Sequence, residues 1–310
     1  MTKEDPRDKL RLTHEDVVAM NFVRAPGIYV YRRHYRAGLR SHIMQVLLRE
    51  DLDRERTGVL RDGVRQFPKA RPLKMLRVFR TRFRTLKEAE EELVRFKIIE
   101  TYLAPLHMAR SNEFLVDFTG GDRREPLLCG LQEYMEGETI NPWNRLDDQE
   151  LASLRERMPD PAGSESQREW IANVRAQAGG FVLRLKGLIS EAGYVPDLAG
   201  SGNLILTAAG LIKLVDINNV SRVSFDSSIP LDDRGYPVCD KSVEALSLLE
   251  KNLAGRPSIL RTRSTRFFWP LTEGIGSGFW KVNFTRPRPS ADVSTLLGDC
   301  FLSYPVSRAR

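Results

Sequence analysis

Residues 195–220 read VPDLAGSGNLILTAAGLIKLVDINNV. Three polar side chains, Asp197, Asn203 and Asp216, punctuate an apolar, glycine-bearing stretch. The runs at 204–207 and 211–215 predict two short strands, with Ala208, Ala209 and Gly210 as the turn between them. Such a hairpin carries Asn203 and Asp216 toward one another. Together they offer oxygen atoms to a hard cation, which takes one or two carboxylates alongside water and phosphate oxygens. Asp197, a few residues upstream, is placed to orient an attacking hydroxyl. Phosphoryl transfer from ATP needs these parts: metal to neutralise the phosphates, and a carboxylate to position the acceptor. The alternative is two polar turns joined by a buried hairpin, since Asn, Asp and Gly are common turn formers.

The elements around this stretch must hold it in place. Upstream, TGVLRDG between Gly58 and Gly63 predicts a hairpin, and PLKMLRVFRTRF at 72–83 alternates as a strand does. Residues around Ile43, Val46 and Leu47 have helix-like spacing. Thr85 and Glu88 open a helix over 85–103 with Leu86, Ala89, Leu93 and Phe96 on one face. EFLVDF (113–118) and LLCGLQEYM (127–135) predict adjacent strands turning at 120–122. Downstream the pattern is helical: one helix opened by Asp147 or Asp148, a long one over 167–192 ending at Gly193, and another within 235–253. Strands and one helix followed by mostly helices predict an α+β chain in two lobes.

With these elements in order, NLILTAAGLIKLVD resembles the catalytic and metal-binding loops of the protein kinase-like superfamily. In that family a catalytic Asp precedes a metal-binding Asn, and a second metal-binding Asp closes the hairpin. Asn203 and Asp216 are 13 apart, about the family's separation. The resemblance implies a bilobal kinase-like fold, with a small antiparallel-sheet lobe bearing one helix and a larger helical lobe. It implies Asp197 as the catalytic residue, Asn203 and Asp216 as ligands of Mg2+ or Mn2+, and ATP as the bound nucleotide. LQEYMEGETI resembles the hinge, so the backbone of Glu133, Tyr134 and Met135 would meet the adenine. KMLRVF resembles the strand of the phosphate-contacting lysine, which puts Arg77 there, with Lys74 and Arg80 as rivals in register. Glu91, or its neighbour Glu92, would be its partner on the following helix, and Asp240 could anchor the catalytic loop. The resemblance spans about residues 58–253. It implies a family-specific segment over 1–57, a small lobe over 58–136, a helical lobe over 137–260 and an extension over 261–310 packed on the body.

The sequence also departs from the family. Asp197 and Asn203 are 6 apart, against a usual spacing of about five. Val195 and Pro196 stand where His-Arg is common, Asp216-Ile217-Asn218 lacks a third-place glycine, and arginine replaces the lysine. Gly58 and Gly63 are the only candidates for a glycine-rich phosphate loop. The leading expectation is phosphoryl transfer to a hydroxyl on a protein or small molecule. The alternative is a weak or inactive pseudokinase acting as a nucleotide-binding scaffold. Asp197 separates the two: set beside the metal site it serves catalysis, whereas a carboxylate that caps a backbone turn points to a binding module.

Composition bounds the rest. The chain has 310 residues, 41% apolar and 29% charged, with a net charge of +7. That suits a globular protein of one large or two modest domains. Cys129, Cys239 and Cys300 are widely spaced and form no metal pair with the four histidines, which predicts buried thiols and a cytoplasmic protein. No apolar run is long enough to span a membrane. Residues 24–84 carry 17 Lys or Arg against 5 Asp or Glu, a net +12. Such a segment suits an acidic partner. Nucleic acid is a weaker reading, because only Tyr29, Tyr31 and Tyr35 interleave with the arginines as stacking platforms.

Overall fold

A computed structural model of the chain describes residues 5–20, 22–23, 27–35, 38, 40–120, 123–159, 165–223, 229–232 and 234–255. The expected extension over 261–310, and Cys300 with it, lies outside the described residues. The described residues form a mixed α+β fold with a five-stranded antiparallel sheet and six α-helices. Chain contacts divide it into two units.

The first unit takes residues 1–80 and 116–127, with 270–310 outside the described set. It opens with a short helix α1 (His14–Val18), followed by strands β1 (Tyr29–Arg33) and β2 (Ser41–Leu48). Helix α2 (Arg49–Thr57) leads to a small hairpin, β3 (Val59–Arg61) and β4 (Val64–Gln66), and then to β5 (Lys74–Phe79). The hairpin of TGVLRDG forms as expected, turning at Asp62 (φ 49°) and Gly63 (φ 77°), a left-handed pair that Asp-Gly adopts readily. Strands β6 (Ser111–Gly120) and β7 (Arg123–Glu133) form a hairpin divided between the units and complete the sheet, in the order β1-β2-β5-β7-β6.

One expectation is corrected here. The spacing around Ile43, Val46 and Leu47 belongs to strand β2. It mimics a helix because β2 lies between β1 and β5 and buries side chains on both faces, so apolar residues fall on consecutive positions. The segment before residue 58, expected as family-specific, supplies β1 and β2, two of the five sheet strands.

The second unit takes residues 81–115 and 128–269. Helix α3 (Leu86–Leu103) is capped by the Thr85 hydroxyl, which accepts from Glu88 N at 3.2 Å; the Glu88 carboxylate accepts from the Arg84 amide instead of closing a full capping box. A short strand β8 (Glu138–Ile140) precedes α4 (Asp148–Arg157), where Asp147 is the N-cap. Helix α5 (Gln167–Gly187) begins in a full capping box at Ser166 and continues as a π-helical turn, Leu188–Ala192, to Gly193 in the left-handed region. Trp170, Val174, Phe181 and Leu185 bury its apolar stripe, at roughly 1.5–3 kcal/mol each. Strands β9 (Tyr194–Pro196), β10 (Leu204–Leu206), β11 (Ile212–Leu214) and β12 (Val220–Arg222) follow, and α6 (Val238–Asn252) closes the described chain. Among the described residues, no helix is long and apolar enough to cross a membrane.

Candidate functional site

The site is built from two small ladders in the second unit. Strands β10 and β11 pair antiparallel, Leu204 opposite Leu214 and Leu206 opposite Ile212, as the hairpin at 204–215 predicts. Gly210, at φ 76°, makes the turn and donates its amide to the Thr207 carbonyl. The ladder runs one step further, with Val215 N donating to the Asn203 carbonyl at 2.9 Å. Asp216 is therefore the next residue on the strand facing Asn203. Strands β9 and β12 form the second ladder, Pro196 opposite Val220. It too continues by one bond, from Asp197 N to the Asn219 carbonyl at 2.8 Å.

Asn203 ties the two ladders together. Its side-chain Nδ2 donates to the Asp197 carbonyl at 2.8 Å. That bond fixes the amide and leaves Oδ1 as the oxygen a cation would take. Asp216 Oδ1 accepts from Asn218 N at 3.0 Å, which sets its carboxylate in the turn following β11. Asp197, Asn203 and Asp216 are thus brought into one knot of backbone, all three half-buried. Two oxygen-bearing side chains suit Mg2+, which keeps waters and substrate phosphates as its other ligands. Among the described residues, no group of three or more His, Cys, Asp or Glu could hold a metal. Asn203 and Asp216 would serve only an ion that brings water and phosphate oxygens as its other ligands, not an all-protein cage.

The loop at 198–202 joins Asp197 to Asn203 through a tight backbone turn. Asp197 Oδ1 accepts from Ala199 N at 3.0 Å and from Gly200 N at 3.2 Å. Asn203 N donates back to the Gly200 carbonyl. Gly200 is required by close approach: a Cβ there would stand 2.5 Å from Asn203 Nδ2. Trp143 Nε1 donates to the Ala199 carbonyl at 2.9 Å and holds the loop from the side.

The anchor of the loop differs from expectation. Leu198 N donates to Ser242 Oγ at 3.2 Å, and Ser242 is fully buried on α6. Asp240, the expected anchor, is half-buried in the first turn of the same helix. Ser242 lies two residues later, and serine has no distinguishing sequence signal on an amphipathic helix. Tyr236 is also near: burial raises its phenol pKa, and the Asp197 charge raises it further.

The expected hinge follows β7. Glu133 N donates to the Arg110 carbonyl at 2.8 Å, and Glu133 Oε1 accepts from Arg110 N at 2.7 Å. The Glu133 N–H is thereby committed. Among the described residues the Met135 amide has no hydrogen-bond partner. Gly137, at φ 151°, packs where a Cβ would meet the Leu206 carbonyl at 2.2 Å, so the segment lies hard against β10. Lys213 on β11, which the sequence did not single out, is 9% exposed and donates Nζ to the Pro105 carbonyl at 2.6 Å. Burial lowers its pKa, opposed by the Glu133 charge. His107 is a core residue, with Nδ1 at 3.1 Å from the Ile212 carbonyl.

Arg77 sits in the middle of β5 opposite Ile43 and is 3% exposed, whereas Lys74 is exposed at the strand's start and Arg80 follows its end. Glu91 is exposed on α3. Its neighbour Glu92 is half-buried and pairs with Arg95 at 2.7 Å. Within the basic segment, Arg32 pairs with Glu55 at 2.9 Å, while residues 60–69 are exposed along their length. No family model matches the chain, and no curated protein sequence matches it.

Proposed function

We propose that the chain is an ATP-dependent phosphotransferase of protein kinase-like type, acting on a hydroxyl of a protein or small molecule. The observation that carries this reading is the Asn203 side chain donating to the Asp197 carbonyl while its strand pairs with the one leading to Asp216. Asn203 and Asp216 would hold Mg2+ or Mn2+, and the ion would neutralise charge on the phosphates. The Met135 amide would serve the adenine edge. By the resemblance, Arg77 on β5 would take the part of the phosphate-contacting lysine. Asp197 would orient the acceptor hydroxyl, its carboxylate held by the Ala199 and Gly200 amides. Positioning of this kind supplies most of the catalysis in phosphoryl transfer.

The same cap favours a second reading, a nucleotide-binding scaffold of pseudokinase type. A carboxylate engaged in a backbone turn is the arrangement expected of a binding module. ATP turnover with pools of candidate acceptors separates the two. Loss of turnover in both Asp197→Asn and Asp216→Ala, with folding intact, supports the enzyme. Nucleotide binding by the parent without turnover across all pools supports the scaffold.

A further inference from the structure

On the face of the sheet opposite to Arg77, a small concavity carries two buried polar atoms without partners. Directly paired strand residues share a face, so Arg77 lies with Ile43, and Arg33 lies with Met44 and, two residues before it on β2, His42. The concavity is lined by Leu10, Arg33, Gly38, Ser41, His42 and Arg80, among others, all of the first unit. His42 is 7% exposed, and its Nε2 has no hydrogen-bond partner. Its ring is held through a hydrogen bond to the Pro6 backbone, which leaves that bond to Nδ1. Arg80 donates Nη2 to the Leu10 carbonyl at 3.2 Å, while its Nε is buried without a partner. Buried polar atoms left this way are rare and call for an occupant.

The neighbours define the occupant. The groups acting on the ring are Arg80 after β5, Arg33 on β1 and, more weakly, Asp16 on α1. Burial and the two arginines keep His42 neutral, with its pKa lowered to about 4. The site therefore offers one N–H donor at Arg80, one lone pair at His42 and a positive rim at Arg33. The concavity offers about 20 Å³ of accessible volume, room for one oxygen atom of an oxyanion or for one water. Gly38 also lines it, and a Cβ there would stand 2.7 Å from the Ser41 carbonyl.

We propose that this concavity binds a protonated oxyanion, a phosphoryl group that seats one P–OH oxygen between His42 Nε2 and Arg80 Nε and leaves its charged oxygens on Arg33. The hydroxyl donates to His42 and accepts from Arg80. Sulfate has no such proton near neutrality and is rejected while the ring is neutral. The site is independent of the Asp197 loop.

The test follows the His42 ring nitrogens by NMR in the full chain at pH 6, where phosphate and its monoesters still carry a proton in part. Inorganic phosphate shifts Nε2 saturably, and Arg33→Gln, an exposed position, weakens the effect about tenfold. Sulfate does nothing at pH 6 and gains affinity as the pH falls toward 4, because the protonated ring becomes a donor. Methyl phosphate separates the sources: equal binding identifies a phosphorylated molecule, and none identifies free phosphate. A response to sulfate equal to that to phosphate at pH 6, or one unchanged in Arg33→Gln, overturns the proposal. So does a silent ring, which means a single water only.

Discussion

The side-chain amide of Asn203 and the backbone carbonyl of Asp197 are joined by a 2.8 Å hydrogen bond. The bond makes the orientation of the candidate metal ligand depend on the loop that carries the candidate catalytic residue. Asn203→Leu keeps the approximate volume and removes the amide. It should lower stability by about 1 kcal/mol, the net value of one hydrogen bond. It should also abolish metal-dependent stabilisation by nucleotide. Urea denaturation reads the first effect and thermal shift with ATP and Mg2+ reads the second.

Gly200→Ala tests the loop without touching a candidate ligand. The new methyl would stand 2.5 Å from Asn203 Nδ2 and 2.9 Å from its Oδ1, closer than real Cβ contacts allow. Asn203 must move, so metal-dependent ATP affinity should drop at least tenfold while the fold survives, since the loop is partly exposed. Titration calorimetry checks this. Unchanged affinity would show that Asn203 is not a ligand.

Ser242→Ala should leave the buried Leu198 N–H without its acceptor, at about 1–3 kcal/mol. Asp240→Asn, in the same helix, should change stability by less than about 0.5 kcal/mol. Urea midpoints of the two variants compare the anchors directly. Equal effects would return Asp240 to contention.

Acid should destabilise the chain through His42. Its folded pKa is lowered to about 4 by burial and by Arg80 and Arg33, against about 6.5 for an unfolded histidine. Below pH 6.5 the unfolded chain binds a proton that the folded chain does not. The associated stability is therefore full above pH 6.5 and is lost as pH falls toward 4. The loss is on the order of 2–3 kcal/mol. His42→Gln should be less stable at pH 7 and should lose less between pH 7 and 4.5 than the parent. Parallel slopes in a denaturation series would contradict this.

The elements around the candidate site were legible where local rules wrote them. The hairpin at 204–215 and the caps at Thr85 and Asp147 rest on neighbours within a few residues. Strand β2 was misread because a strand buried on both faces loses the alternation that marks an exposed one. Ser242, Trp143 and Lys213 were invisible for a different reason. Their roles are contacts with residues 44, 56 and 108 positions away, and nothing in their local spacing marks them. The Asp197 cap was open in advance, since two glycines allow the loop several paths.

In the proposed function Asn203 and Asp216 hold a metal ion with nucleotide. Thermal unfolding of the full chain, with ATP alone, with Mg2+ alone and with both, tests it most directly, because a ligand of the folded state raises its stability. ATP with Mg2+ should raise the midpoint clearly above either component alone, and Asp216→Ala should abolish that rise while keeping a parent-like midpoint without ligand. Equal stabilisation of Asp216→Ala and the parent by ATP with Mg2+ would contradict the claim.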